Sequence, residues 1–167
     1  YSSKFMKKKI SKIKINSVKK NIKISLAESC TGGLISSKLT SISGSSDYFD
    51  CAIISYSNES KIKLLGVSEK LINKYGAVSK EVSLSMAEKL LKITNSDLCI
   101  SVTGIAGPDG GSKDKPVGTI FITFIHSIKS QKKIKKTYKK LFKSKTRSLI
   151  QKDCTEFVLD KIIDCIN

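Results

Sequence analysis

The sequence is poor in the residues that mark several common kinds of protein site. It has no Trp, one His (His126) and one Arg (Arg147) among its 31 Lys and Arg residues. No apolar run approaches the roughly 20 residues that a transmembrane helix needs, which argues against a membrane partner. A lone His cannot build a multi-histidine metal site, and it would have to serve alone in a Ser-His-Asp mechanism. We therefore predict that His126 is a strand-end or surface residue.

The formal net charge of +17 at first suggests a nucleic-acid partner. Nucleic-acid sites favour Arg, however, because its guanidinium makes bidentate contacts. Here Lys is spread along the whole chain together with Ile, Asn and Ser. The densest basic run, residues 130–140, is typical of an edge strand protected by Lys, and a binding patch is the alternative. The charge pattern therefore argues against a nucleic-acid partner.

The five cysteines are widely spaced and form no Cys-x-x-Cys pair. This spacing argues against a disulfide framework and against a zinc site, and it favours a reducing, cytoplasmic location. We expect neither a metal nor a cofactor. The basic residues 1–20 predict a surface helix packed on the domain, with an organelle-targeting segment as the alternative.

Apolar periodicity alternates between strand and helix along the rest of the chain. This pattern predicts an α/β fold, with a single three-layer α/β/α domain over residues 21–167 around a mixed, largely parallel sheet. Predicted strands are 22–27, 49–56, 97–103, 118–126 and 132–140, and predicted helices are 4–19, 32–43, 59–65, 67–76, 79–94 and 144–166.

The stretch AESCTGG, residues 27–33, joins the first predicted strand to a helix. It places two candidate nucleophiles, Ser29 and Cys30, at a helix start whose N–H groups can hold an oxyanion or a phosphate. The structural alternative is a capped helix with Thr31 as the N-cap.

Two further strand ends carry candidate groups. In SYSNESK, residues 55–61, Asn58 is a candidate helix cap, and a desolvated Lys61 can act as a general base for a Ser hydroxyl; a solvent-facing Lys is the alternative. In SVTGIAGPDGG, residues 101–111, the crowded glycines predict an anion nest, with a surface turn as the alternative.

Together with LGV, GAVS and KPVGTIF, these stretches resemble, in order and spacing, the CinA C-terminal domain-like family of stand-alone nicotinamide mononucleotide amidohydrolases. The resemblance covers residues 22–166. It implies a compact α/β/α homo-oligomer, a dimer or larger, that hydrolyses the carboxamide of nicotinamide mononucleotide to nicotinate mononucleotide and ammonia in NAD recycling. It also implies a Ser29 nucleophile, a Lys61 base assisted by Tyr56, and no metal. The residues implied to bind substrate are Glu28, Cys30, Thr31, Gly32, Gly33, Asn58, Thr103, Gly104, Ala106, Gly107, Gly111 and Arg147.

The chain departs from the family pattern before the last helix. A Gly-Asp-Arg triplet is replaced by Lys145, Thr146 and Arg147, and a later basic residue by Gln151. Arg147 is expected to contact the substrate phosphate, with a helix-surface salt bridge as the alternative.

The sequence also offers alternatives for the nucleophile and for the function. Cys30 is a rival nucleophile, since a helix N-terminus lowers a thiol pKa. Backbone N–H groups from Cys30 to Gly33 are the expected oxyanion donors. Alternative functions are hydrolysis of another nucleotide amide and a non-catalytic binding module related to competence or DNA damage.

Overall fold

The computed structural model describes residues 2–128 and 132–167. Its strands are β1 (Ile24–Glu28), β2 (Phe49–Ile54), β3 (Leu98–Gly104), β4 (Thr119–Ile128) and β5 (Lys132–Leu141). Its helices are α1 (Ser2–Lys20), α2 (Leu34–Leu39), α3 (Asn58–Ser60, continued as one π-helical stretch, Lys61–Leu65), α4 (Glu69–Tyr75), α5 (Lys80–Thr94) and α6 (Arg147–Ile166).

The five strands form one sheet in the order β2-β1-β3-β4-β5. Strand β1 runs parallel to both β2 and β3, whereas β4 pairs antiparallel with β3 and with β5. Strand β1 is buried along its whole length, as expected for a central strand covered on both faces. The predicted α/β class and mixed sheet are confirmed.

Helices cover both faces of this sheet. One layer contains α1, α2 and α6, and the other is built around α5 with α4 and α3. Strand alternation divides the core between the layers, so that Leu26 belongs to one apolar cluster and Ala27 to the other. Helix α1 adds the fully buried Ile13 to the first cluster and forms an ion pair from Lys9 to Asp160 at 2.8 Å.

Several element bounds differ from the prediction, and two of the differences lie near the carboxyl ends of the parallel strands. Helix α2 is shorter than predicted, because Gly32 and Gly33 take left-handed conformations before it begins. Strand β2 ends at Ile54, so Ser55 and Tyr56 belong to the crossover that follows it.

The predicted edge strand lies at the sheet edge as β5, and the part of the 130–140 run at residues 130 and 131 lies outside the described residues. His126 is a half-buried residue near the end of β4. Within the described ranges, no helix combines the length and apolarity needed to cross a membrane.

Candidate active site

The site lies where β1, β2 and β3 end together. Because these strands are parallel, their carboxyl ends meet at one edge of the sheet. Ser29 follows β1, Lys61 lies in the helical segment after β2, and the glycine-rich loop follows β3. The fold therefore brings together the three stretches that the sequence marks.

Ser29 and Lys61 form a buried pair. Lys61 Nζ lies 2.9 Å from Ser29 Oγ, and the side chain of Lys61 is 1% exposed. The amine also donates to the carbonyl oxygens of Ser55 at 3.0 Å and Tyr56 at 3.1 Å. Burial lowers the pKa of Lys61 from its ordinary value of 10.5, because a desolvated ammonium is disfavoured. In the neutral amine, the two carbonyls hold the N–H groups and the lone pair faces Ser29, as a general base requires.

Tyr56 contributes to this pair through its backbone. Its carbonyl oxygen accepts from Lys61 and lies 3.3 Å from Ser29 Oγ. Its hydroxyl is instead hydrogen-bonded to Arg147, and its side chain is more than half exposed. The family resemblance implies a Lys61 base assisted by Tyr56, and in the structure the group of Tyr56 that contacts Lys61 is the backbone carbonyl.

Arg147 lines the same cleft as Ser29. Its guanidinium donates to the Gly107 carbonyl at 2.7 Å and to the Tyr56 hydroxyl, so it joins the loop after β3 to the crossover after β2. Arg147 is the first residue of α6, and Thr146 caps that helix through the Leu149 N–H. Both guanidinium ends face the cleft walls, which disagrees with the alternative of a helix-surface salt bridge.

The cleft has a volume of about 210 Å³. Two of its residues, Ile105 and Asp109, were not predicted, because only the fold of the glycine-rich loop turns them inward, whereas Gly110 is one of the glycines of the predicted anion nest. The lining residues are Ser29, Cys30, Tyr56, Gly104, Ile105, Ala106, Gly107, Asp109, Gly110 and Arg147.

Cys30 is unsuited to be the nucleophile. Its side chain is 5% exposed, and burial raises the pKa of its thiol to about 12. The expectation that the helix start lowers this pKa is therefore wrong, because desolvation outweighs the local dipoles. Gln151 Nε2 donates to the Cys30 carbonyl at 2.9 Å, so the residue that departs from the family pattern holds the turn beside Ser29.

The buried side chain of Glu28 binds the backbone N–H groups at the start of α2. It has no solvent exposure, and its carboxylate accepts the N–H groups of Gly33, Ile35 and Ser36. The prediction that the N–H groups at this helix start hold a bound anion is therefore wrong for Gly33 and the first turn of α2, since the chain's own carboxylate occupies those groups. Gly33 is the N-cap of α2, so the alternative of Thr31 as the N-cap is wrong. The Thr31 hydroxyl donates to Glu28, and neither residue is among those that line the cleft, where substrate-binding residues are expected.

The oxyanion donors are fewer than predicted. The Gly32 N–H donates to the Ser29 carbonyl at 3.0 Å, and the Gly33 N–H donates to Glu28 at 3.2 Å. The Ser29 N–H is also used, by the Val102 carbonyl at 3.0 Å. Of the predicted donors, the Cys30 N–H belongs to a residue that lines the cleft, and it also contacts that residue's own thiol.

Three other predicted binding residues lie beside the cleft. Thr103 is buried and donates to the Ala77 carbonyl at 2.9 Å. Gly111 packs so closely on Val117 that an added Cβ would lie 2.8 Å from its backbone nitrogen. Asn58 is exposed as the first residue of α3 and is not its cap. None of the three is among the residues that line the cleft.

Ser57 takes the capping role predicted for Asn58. Its hydroxyl accepts the Ser60 N–H at 3.0 Å, while Ser60 Oγ accepts the Ser57 N–H. Ser55 is a further residue that the sequence reasoning missed, because its contribution is a backbone carbonyl that no side-chain pattern reveals. Across residues 2–128 and 132–167, no three His, Cys, Asp or Glu side chains converge as metal ligands do.

Fold and site together define a small α/β/α domain with a Ser–Lys pair at the carboxyl ends of its parallel strands. The protein-family model described as the CinA C-terminal domain matches residues 6–166 of the chain. The chain belongs to that family.

Curated relatives and solved structures agree with this membership. The chain is 50% identical over 137 residues to a CinA-like protein of Endomicrobium trichonymphae, a match covering 82% of this chain and 31% of that protein. It is 44% identical over 150 residues to a CinA-like protein of Pseudothermotoga lettingae, a match covering 89% of this chain and 35% of that protein. The chain thus spans about a third of the length of these relatives. The crystal structure of the competence/damage inducible protein CihA from Agrobacterium tumefaciens superposes with a TM-score of 0.89 at 31% identity, covering 95% of this chain and 94% of that one.

Proposed function

We propose that this domain is a serine amidohydrolase that converts nicotinamide mononucleotide to nicotinate mononucleotide and ammonia. The observation that carries the proposal is the contact of 2.9 Å between Ser29 Oγ and the buried Lys61 Nζ. A Ser hydroxyl is a weak nucleophile unless an adjacent base takes its proton, and an amine with a lowered pKa is such a base. The family resemblance supplies the substrate.

The first half of the reaction forms an ester on Ser29. Lys61 takes the hydroxyl proton while Ser29 Oγ attacks the carboxamide carbon. The carbonyl oxygen becomes an oxyanion, for which the Cys30 N–H is the candidate donor. Lys61 then returns the proton to the amide nitrogen, the C–N bond breaks, and ammonia leaves.

The second half restores the enzyme. A water molecule attacks the Ser29 ester, Lys61 takes one of its protons and passes it to Ser29 Oγ as the ester bond breaks, and the carboxylic acid product releases its remaining proton to solvent. The Ser55 and Tyr56 carbonyls keep the amine pointed at Ser29 through both halves. One water is consumed for each ammonia released.

Arg147 is the cation placed to recognise the phosphate. Its guanidinium lines the cleft and is held by two acceptors, the Gly107 carbonyl and the Tyr56 hydroxyl, while its remaining N–H groups can donate charge-assisted hydrogen bonds to a phosphate. Gln151, at the position where the family carries a second basic residue, bonds the Cys30 carbonyl instead. We therefore expect a single guanidinium to carry phosphate recognition in this chain.

The test measures ammonia and nicotinate mononucleotide formed from nicotinamide mononucleotide by the parent, Ser29→Ala and Cys30→Ala. Turnover should vanish in Ser29→Ala and persist in Cys30→Ala. Loss confined to Cys30→Ala would make the thiol the nucleophile. A folded parent without turnover would contradict the substrate and direct attention to other nucleotide amides.

A further inference from the structure

Glu28 is a fully buried acidic residue at the end of β1. Strand alternation places it on the same face as Leu26, beneath the layer that contains α2 and α6. An uncompensated carboxylate in such an apolar layer is costly, so its hydrogen bonds must offset the loss of water.

The carboxylate of Glu28 accepts five hydrogen bonds. Oε1 accepts from the Thr31 hydroxyl at 2.6 Å and from the N–H groups of Gly33 and Ile35, each at 3.2 Å. Oε2 accepts the Ser36 N–H at 2.9 Å and the Ser36 hydroxyl. All five groups act as donors, so the site fits an acceptor-only carboxylate.

These donors all belong to residues 31–36, immediately after Ser29. Glu28 therefore fixes the chain on the helix side of Ser29. On the strand side, the Ser29 N–H is fixed by the Val102 carbonyl at 3.0 Å. The turn is anchored at both ends, and the Ser29 hydroxyl is left facing Lys61.

We propose that Glu28 is a positioning residue whose buried carboxylate holds the Ser29 turn in register with Lys61. The inference rests on the proposed use of Ser29 as nucleophile, and it does not depend on which amide is hydrolysed. It assigns Glu28 a part in the rate of the reaction without contact with substrate.

The test variant is Glu28→Gln, which keeps the size of the side chain. Its amide has one acceptor and one donor end, so the NH2 group must oppose N–H groups that the carboxylate accepted. The control for loss of charge is Asp50→Asn, which removes an exposed carboxylate at the other end of the sheet, where Asp50 accepts the Ser96 hydroxyl at 2.8 Å. Each protein is first shown to be folded by circular dichroism and thermal unfolding.

The first readout is the rate at which a fluorophosphonate labels Ser29, which needs no knowledge of the substrate. We expect labelling of Glu28→Gln to slow about 100-fold, as for a nucleophile displaced by about 1 Å, and Asp50→Asn to react like the parent. With nicotinamide mononucleotide, kcat should fall by a similar factor while KM changes less than about threefold. A merely structural loss would lower the folded fraction and leave these constants unchanged for the folded enzyme.

Folded Glu28→Gln that is labelled at the parent rate would overturn the inference, as would equal slowing in Asp50→Asn. Should Glu28→Gln fail to fold, Ser36→Ala removes one donor and leaves the carboxylate. It is expected to slow labelling at least about threefold, and an unchanged rate would overturn the inference. A parent labelled on Ser29 that releases no ammonia would contradict the proposed substrate alone, whereas a parent that is not labelled would overturn both proposals.

Discussion

Lys61 shows how one buried side chain can serve chemistry at a cost to stability. The amine has 1% exposure and receives two backbone carbonyls and the Ser29 hydroxyl as partners. The carbonyls orient the amine without supplying the full negative charge that would hold its proton. A carboxylate in their place would raise the pKa of Lys61 and weaken it as a base.

The variant Lys61→Met is expected to lower kcat at least about 100-fold, because the general base is removed. It should also change how stability depends on pH. The pKa of Lys61 in the folded protein lies below 10.5. Between that pKa and 10.5 the unfolded chain binds more protons than the folded protein, so the free energy of unfolding of the parent increases as pH rises. Lys61→Met lacks that gain.

Urea unfolding of both proteins from neutral pH towards 10.5 measures the effect. Buried thiols with raised pKa values work in the opposite direction. Cys99 does so in both proteins alike and cancels in the difference, whereas Cys30 is coupled to Lys61 by charge, so Cys30→Ala is introduced into both proteins. The stability difference should move in favour of the parent as pH rises. A difference that does not change with pH would contradict the lowered pKa.

The variant Tyr56→Phe separates the carbonyl of Tyr56 from its phenol. The carbonyl that holds Lys61 survives, so we expect kcat to fall less than about 100-fold, below the loss typical of a deleted acid or base. KM should rise, because Arg147 loses the hydroxyl that helps to place it. Steady-state kinetics with nicotinamide mononucleotide measure both constants, and a larger fall in kcat at constant KM would make the phenol a proton carrier.

At the scale of elements, the short helix α3 matters because it continues into the stretch that begins with Lys61. Its capping box joins Ser57 and Ser60 through reciprocal hydrogen bonds of 3.0 Å. Helix α4 has a comparable cap, in which Ser68 accepts the Leu71 N–H at 3.4 Å, and it carries no cleft residue. The two caps therefore form a matched pair for experiment.

We expect Ser57→Ala and Ser68→Ala each to cost about 1 kcal/mol of stability, since each removes an N-cap acceptor. Ser57→Ala should in addition lower kcat, because the helix that aims Lys61 loses its anchor. Thermal unfolding and steady-state kinetics on both variants measure the two effects. Equal kcat values for the two variants would show that the α3 cap does not help to place Lys61.

The elements also show what the sequence could and could not predict. The alternation of strand and helix patterns correctly predicted the order of elements and the three strand ends that form the site. The cap at Ser57 was missed because Ser57 and Asn58 are both good caps, and the choice depends on where β2 ends. The occupation of the α2 start by Glu28 was missed because a carboxylate before a helix looks the same in sequence whether it turns inward or outward.

At the scale of the molecule, the chain has a formal net charge of +17, and Arg147 lines its small cleft. Such a field attracts anionic substrates, and salt screens it. We expect kcat/KM for nicotinamide mononucleotide to fall with rising ionic strength, while the labelling of Ser29 by an uncharged fluorophosphonate stays constant. Parallel loss of both rates would indicate a structural effect of salt instead of screening.

The whole-molecule fold explains why the site residues lie far apart in sequence. Ser29, Lys61 and Arg147 follow three different elements, and only the parallel pairing of β1 with β2 and β3 brings the first two and the glycine loop together. Packing of α6 in the same layer as α2 then brings Arg147 to the cleft that Ser29 lines. The motifs could be read from sequence, whereas the roles of Tyr56, Cys30 and Gln151 depend on burial and side-chain direction.

The most direct test of the central claim is to trap the ester on Ser29. The parent is mixed with nicotinamide mononucleotide, quenched in acid and digested with trypsin, and the peptide of residues 24–38, which contains both Ser29 and Cys30, is sequenced by mass spectrometry. The account predicts a nicotinate mononucleotide adduct on Ser29 in the parent and none in Ser29→Ala. An adduct on Cys30, or ammonia release that persists in Ser29→Ala, would contradict it.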